Sequence, residues 1–184
     1  MHYYIIGTDH RLQSPSPFRA NPDVRLRDKI ESIIRTHRVV LIAEEVDAEK
    51  HHTQTIFGRD LANSQTPRIH WLPIDMTKAQ QKAEGIFEAL ETAQKLQEQG
   101  INAYAVHAND VRERYWLAQI REECKQQKIR DGVVLITCEY NHCKSLAAKA
   151  TSLDIEIITT MLFPDDLKER LSKPVTRIDC PEGC

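Results

Sequence analysis

The pattern of apolar and polar positions along this chain switches between that of buried strands and that of helices. Five short apolar runs predict strands, at residues 3–7, 39–43, 69–74, 133–137 and 155–158. Apolar residues recur at helical spacing between them, and four such segments predict helices at residues 26–34, 77–99, 111–128 and 141–150. Thr77 is a good N-cap for the second of these helices, and Gly100 stands where the residue after its end is expected.

Strands that alternate with helices predict parallel βαβ units. We therefore expect the α/β class, as a single three-layer domain with a mainly parallel five-stranded sheet and helices on both faces. Analogy with doubly wound sheets suggests the strand order 3-2-1-4-5, with the first strand central. Residues 11–23 and 47–66 have few apolar anchors, so we expect loops or a lid there, over the carboxyl ends of strands one and two. The domain is predicted to span residues 1–167, and residues 168–184 a polar, poorly ordered C-terminal tail.

Composition and charge narrow the class of protein. With 184 residues and 41% hydrophobic content, the chain can bury a core without disulfides. Its net charge of −2, from 25 basic and 27 acidic residues, gives no overall attraction to nucleic acid or to an anionic membrane. The first residues lack the pattern of a secretory signal, and no apolar run approaches the roughly 20 residues of a membrane span. We expect a cytoplasmic protein with reduced thiols.

The cysteines and glycines fit none of the familiar motifs. The five cysteines form no C-x-x-C pair and no structural-zinc spacing; they are Cys124, Cys138, Cys143, Cys180 and Cys184. Cys138 and Cys143 flank His142, so a thiolate ligand and simple packing are both open interpretations. Glycine-rich phosphate loops and the G-x-S-x-G nucleophile elbow are absent from the sequence, which argues against nucleotide binding by such a loop.

Side chains able to carry chemistry follow four of the predicted strands. His10 follows the first strand, Glu44 and Glu45 the second, Asp75 the third and His142 the fourth. In an open α/β sheet, ligands bind outside the carboxyl ends of the strands. These side chains are therefore predicted to meet in one crevice, although each taken alone also fits an ordinary loop residue.

Two imidazoles joined by a carboxylate suit Mn, Fe, Co or Zn, so His10, His142 and Glu44 are the predicted ligands of a divalent transition metal. Alternation places Glu44 and Glu45 on opposite faces of the sheet. Glu44 directly follows the apolar run, which favours it as ligand or general base, while Glu45 is left to a helix or to solvent. Asp75 is either a catalytic carboxylate or the turn residue before the next helix.

An arginine-containing segment at residues 112–116 completes the candidate set. Arg112 is predicted to clamp a carboxylate, a phosphate or a developing oxyanion. Arginines near the start of a helix oppose its dipole, which favours a functional role over a solvated one. Positions two apart on a helix face about 200° away from each other, so Arg112 and Arg114 should not both reach the crevice.

These segments, taken in order, resemble the superfamily that groups the TIKI proteases, the TraB/PrgY proteins, ChaN-like proteins and erythromycin esterases. Gly7-Thr8-Asp9-His10 resembles the first of the two G-x-x-H motifs of that group, and Glu44 is similar to its glutamate. Residues 112–116 resemble its arginine segment, with Glu113 in place of Asn or Asp. Residues 139–142 keep the histidine of the second motif and lack its glycine.

The resemblance implies an α/β domain with a crevice formed by His10, Glu44, Arg112 and His142, and in the TIKI branch a metal-dependent hydrolase. The sequence thus predicts a hydrolase that cleaves an ester, amide or phosphoester bond in a small-molecule or peptide substrate. Two alternatives stay open at this point. One is a non-catalytic binding module for a small anionic ligand, a nucleotide or a protein partner, and the other is a nuclease or nucleotide-cleaving enzyme that uses the same residues.

Overall fold

The computed structural model describes residues 1–8, 24–47, 49, 57–101, 103–151, 153, 156–162 and 176–178. Its main sheet is parallel throughout and has the strand order β3-β2-β5-β1-β6. These strands are β1 (His2–Thr8), β2 (Val39–Asp47), β3 (His70–Asp75), β5 (Val133–Glu139) and β6 (Glu156–Leu162). A second parallel sheet joins β4 (Ala103–Ala105) to β7 (Thr176–Ile178).

Helices cover both faces of the main sheet. The described α-helices are α1 (Val24–Thr36), α2 (Phe57–Ser64), α3 (Lys78–Ala83), α4 (Phe87–Glu98), α5 (Val106–Gln126) and α6 (Cys143–Thr151). A 3-10 turn, Tyr140–His142, leads from β5 into α6. Helices α1 and α2 pack on one face, and α5 and α6 pack on the other. The predicted α/β fold, with a five-stranded parallel sheet and helices on both faces, is confirmed.

The central strand, β5, is buried on both faces. Val134 and Ile136 contribute to the core under α5 and α6, and Leu135 contributes to the core under α1 and α2. A third apolar cluster links α4, β4 and the start of α5, and Ile86, Ala103 and Ala108 are fully buried in it. The fold thus positions the carboxyl ends of β2, β3 and β5 beneath α5.

The strand order differs from the predicted one. The central strand is β5 rather than β1, so with the strands numbered as in the prediction the order is 3-2-4-1-5 instead of 3-2-1-4-5. Apolar periodicity indicates where strands lie, but it does not indicate which strands pair. Since β1 and β5 are both buried runs, the pattern does not distinguish the central strand from its neighbour.

Part of the segment predicted as a loop at residues 47–66 is the helix α2. Phe57, Leu61 and Ala62 are buried on one side of this helix, against the sheet. Their apolar stripe spans only about two turns, which is too short to stand out as a period. The predicted loop at 11–23 lies outside the described residues.

The segment at residues 77–99 forms two helices instead of one. They are separated at Gly85, whose φ of 69° is left-handed. Thr77 caps α3, and its hydroxyl accepts a hydrogen bond from the amide of Gln80 at 3.2 Å, which confirms the predicted N-cap. Gly100 follows α4 with a φ of 80°, as expected for the residue after a helix end.

Strand β7 lies inside the segment predicted as a polar tail. It pairs with β4 in the register Tyr104↔Arg177. Among the described residues, no helix combines the length and the apolar content that a membrane crossing requires.

Candidate functional site

His142 lies in the turn after β5, and only 1% of its surface is exposed. Its Nδ1 is 2.8 Å from Oε1 of Glu113. An ionised carboxylate only accepts hydrogen bonds, so Nδ1 carries a proton and donates it to Glu113. Nε2 faces Nη1 of Arg112 at 3.4 Å and Oε1 of Glu45 at 3.7 Å.

Three side chains hold the carboxylate of Glu113, which is fully buried on α5. Besides His142, the hydroxyl of Ser145 donates to Oε1 at 2.7 Å and Nζ of Lys149 donates to Oε2 at 2.7 Å. Burial alone would raise the pKa of Glu113, but the hydrogen bonds outweigh it and lower the pKa. Lys149 also pairs with Asp110 at 2.8 Å. Glu113 is therefore an ionised carboxylate that fixes the orientation of the imidazole ring.

Arg112 is held by Asp75 in a two-point fork. Nε donates to Oδ1 of Asp75 at 2.9 Å, and Nη2 donates to Oδ2 at 2.8 Å. Nη2 also donates to Oε1 of Glu45 at 2.6 Å. The indole of Trp116 donates to Oδ1 of Asp75 at 3.1 Å, and its ring lies 5.1 Å from the guanidinium carbon. Burial alone would lower the pKa of Arg112, but the charges of Asp75 and Glu45 raise it.

Among the described residues, the third guanidinium nitrogen of Arg112, Nη1, has only long contacts. It lies 3.3 Å from Oδ1 of Asn109 and 3.4 Å from Nε2 of His142. N–H···O bonds cluster at about 2.9–3.0 Å, so these two contacts are weak. Nη1 is thus the nitrogen of Arg112 with the weakest hydrogen bonds, and it lies beside Nε2 of His142.

The two adjacent glutamates of β2 face opposite sides of the sheet. Oε2 of Glu45 accepts the backbone N–H of Glu139 at 2.6 Å, which ties β2 to the end of β5. Glu44 lies on the other face, where it accepts from the indole of Trp71 at 2.9 Å and from the amide of Gly58 at 3.2 Å. Burial raises the pKa of Glu44. This placement corrects the expectation that Glu44, rather than Glu45, faces the crevice: alternation separates the two without indicating which face each takes.

The structure brings four of the sequence-predicted site residues together. Arg112, Asp75, Glu45 and His142 meet at the carboxyl ends of β2, β3 and β5. Glu44 lies apart from them, and His10 lies outside the described residues.

Arg112 does not lie at the start of its helix. Helix α5 begins at Val106, not near Val111, which places Arg112 in the second turn and removes the dipole argument for its role. The side chain of Arg112 is 11% exposed, while that of Arg114 is 72% exposed and pairs with Asp110 at 2.8 Å. The two arginines thus point in different directions, as expected for positions two apart on a helix, and only Arg112 is buried against Asp75 and Glu45.

Glu113, Ser145 and Lys149 are among the residues of the cluster that were not expected from the sequence. A signal for Glu113 exists in the helical period. It shares the buried side of α5 with Trp116, Leu117, Ile120 and Cys124. A charged residue in the register of an apolar stripe indicates a buried carboxylate with partners. Ser145 and Lys149 carry no comparable signal.

The predicted metal ligands are not assembled in the described part of the chain. No group of three or more His, Cys, Asp or Glu side chains there is arranged to hold a metal ion. Glu44 and His142 lie on opposite faces of the sheet, and Nη2 of Arg112 contacts the carboxylates of both Glu45 and Asp75. The described side chains therefore do not fit the predicted set, and metal dependence stays a prediction.

Comparison with known proteins gives no match: no family model, no curated protein and no solved structure is detectably similar to this chain. The resemblance to the TIKI, TraB/PrgY, ChaN and erythromycin esterase group stays a prediction that rests on the motifs alone.

Proposed function

We propose that this chain is a hydrolase that cleaves an ester, amide or phosphoester bond in a small-molecule or peptide substrate. One observation carries the proposal. A buried imidazole is held at Nδ1 by a carboxylate at 2.8 Å, and its other nitrogen lies 3.4 Å from a guanidinium nitrogen. Hydrolysis needs a group that takes a proton from water and a cation that stabilises the oxygen that gains charge, and these two groups lie side by side.

In this proposal His142 is the general base. Nε2 takes a proton from the attacking water, and the carboxylate of Glu113 stabilises the imidazolium that forms. The same proton then passes from Nε2 to the leaving group, which regenerates the neutral ring. Glu113 is a positioning residue, because it acts on the substrate only through His142.

Arg112 supplies the positive charge. Asp75 and Glu45 fix its Nε and Nη2, which leaves Nη1 to donate to the developing oxyanion. A preorganised donor of this kind is typically worth roughly 100- to 1000-fold in rate. Asp75 and Glu45 thus position Arg112 and take no part in proton transfer.

The test is a substrate panel for the purified full chain, with chromogenic esters, peptides and phosphodiesters. Each is assayed after chelation and after addition of Mn, Co, Fe or Zn, which tests the predicted metal dependence in the same experiment. We expect turnover of at least one of these substrate classes, its loss in His142→Ala, and a fall of at least about tenfold in Arg112→Lys, because lysine cannot reproduce the fork.

His107→Ala and Arg114→Ala are the matched controls, since both side chains lie exposed on the same helix α5. Both should retain the rate of the unmodified protein. The proposal is overturned if no substrate class is hydrolysed under any metal condition, or if a folded His142→Ala variant keeps its activity. If no substrate is turned over, the alternative of a non-catalytic binding module is favoured.

A further inference from the structure

Two buried cysteines lie at the two ends of the turn that carries His142. Cys138 is near the end of β5, and Cys143 is the first residue of α6. Both are 0% exposed, and both belong to the core cluster beneath α5 and α6. The function proposed above uses neither of them.

Gly7 shows that the sulfur of Cys143 lies close to Cys138. Gly7 is the direct neighbour of Cys138 in the β1–β5 ladder. A Cβ atom added to Gly7 would lie only 2.4 Å from Sγ of Cys143. The sulfur of Cys143 therefore fills the space that the missing side chain of Gly7 leaves. Neighbouring strands are about 4.8 Å apart, so this space adjoins the side chain of Cys138 on the same face of the sheet.

We propose that Cys138 and Cys143 are an oxidation site, at which a peroxide converts the two thiols into a reversible disulfide. One sulfur attacks an oxygen of hydrogen peroxide: the S–O bond of a sulfenic acid forms, the O–O bond breaks, and the other oxygen leaves as water. The second thiol then displaces the hydroxyl group as water, and the sulfur–sulfur bond forms. The two thiols lose two electrons and two protons, and one peroxide is reduced to two waters.

The disulfide closes a short loop around the site. Residues 139–142 lie between the two cysteines, and they include His142 and the backbone N–H of Glu139 that binds Glu45. Bonded sulfurs are about 2.05 Å apart, so the bond would tie the start of α6 to the end of β5. This site stands independently of the hydrolase proposal. Because both sulfurs are buried, we expect oxidation on the timescale of local opening.

Trypsin digestion places the cysteines in three different peptides, so the oxidation state of each group can be measured separately. Cleavage after Arg130 and Lys144 releases residues 131–144, which contain Cys138 and Cys143 and no other cysteine. Cys124 lies in the peptide 122–125, and the remaining two lie in 178–184. Cys124 is the matched control, because it is buried in the same core cluster and is far from both in sequence.

In the experiment, the folded protein is treated with hydrogen peroxide, and the remaining thiols are then alkylated in denaturant. The protein is digested with trypsin, and the masses of the peptides are measured by mass spectrometry. We expect peptide 131–144 to be unalkylated and lighter by two hydrogen atoms, and to take up two alkyl groups after reduction with dithiothreitol. Cys124 should stay alkylated throughout. In Cys138→Ser, peptide 131–144 should not lose two hydrogen atoms, because Cys143 then has no second cysteine in this peptide with which to form a disulfide.

Two results would overturn the proposal. One is that Cys138 and Cys143 are both alkylated after peroxide treatment of protein that circular dichroism shows to be folded. The other is that either cysteine is recovered as a sulfinic acid or linked to the peptide 178–184 instead of to its neighbour. Unmodified protein is sufficient for both readouts, so the test does not depend on the folding of a variant.

Discussion

Removal of the Arg112 side chain should destabilise the fold strongly. The guanidinium neutralises Glu45 and Asp75, whose side chains are only 2% and 13% exposed. Arg112→Ala leaves two carboxylates in this buried site without their cation. Breaking a buried pair in this way typically costs about 3–5 kcal/mol, because the remaining charge stays desolvated. For a domain of this size that loss corresponds to a fall in Tm of roughly 6–20 °C.

Urea unfolding followed by circular dichroism measures this loss, and a double-mutant cycle assigns it. Arg112→Ala should lower the unfolding midpoint sharply, and the effect should shrink when Glu45→Gln is already present, since fewer charges are then left uncompensated. Arg114→Ala is the control and should leave the midpoint unchanged, because that side chain is exposed. Equal midpoints for Arg112→Ala and Arg114→Ala would refute the buried ion-pair cluster.

Four substitutions test the cluster and the opposite face of the sheet. Because the pKa of Glu113 is lowered, its charge stabilises the fold at neutral pH, and this stability is lost as the pH falls through the carboxyl range. Glu113→Gln should therefore flatten the acid side of a plot of unfolding free energy against pH. Glu45→Gln should reduce hydrolysis severalfold or more, while Glu44→Gln should leave it unchanged. The raised pKa of Glu44 predicts that the protein gains stability as the pH falls and that Glu44→Gln removes this gain, as urea titrations at several pH values will show. Gly58→Ala should destabilise the protein, because the added Cβ would lie 2.4 Å from Oε2 of Glu44, although alanine is favoured over glycine in helices by about 1 kcal/mol. Thermal unfolding measures this effect, and a stabilised variant would contradict the packing of Gly58 against Glu44.

The elements of this fold were largely predictable because each long element has a clear period. The stripe of Leu26, Ile30 and Ile33 predicts α1, and these residues are buried under it in the structure. The pairing of strands produces no such period in the sequence, so the exchange of β1 and β5 in the strand order could not be predicted from it. The strands β4 and β7 could not be predicted either, because they have only three residues each.

The site was predictable only in part, for a similar reason. Strand exits locate Asp75, Glu45 and His142 near one edge of the sheet, since parallel strands all end there. Alternate residues of β2 face α5, and the sequence does not show whether Glu44 or Glu45 belongs to that set. The register of β2 against β5 decides it. The partners Ser145 and Lys149 belong to a helix whose position relative to α5 is set by packing, so no local pattern identifies them.

Two neighbouring glutamates show how one strand serves two separate purposes. Glu45 binds the arginine of the candidate site, while Glu44 binds the indole of Trp71 and the first turn of α2 on the opposite face. Within the site, most donors and acceptors already have partners at 2.6–2.9 Å. In the hydrolase that we propose, the reacting atoms are Nε2 of His142 and Nη1 of Arg112, which have only long contacts among the described residues and lie 3.4 Å apart. Because Glu113, Asp75 and Glu45 restrain these two side chains, a substitution at any of the three should reduce activity although each acts only through His142 or Arg112.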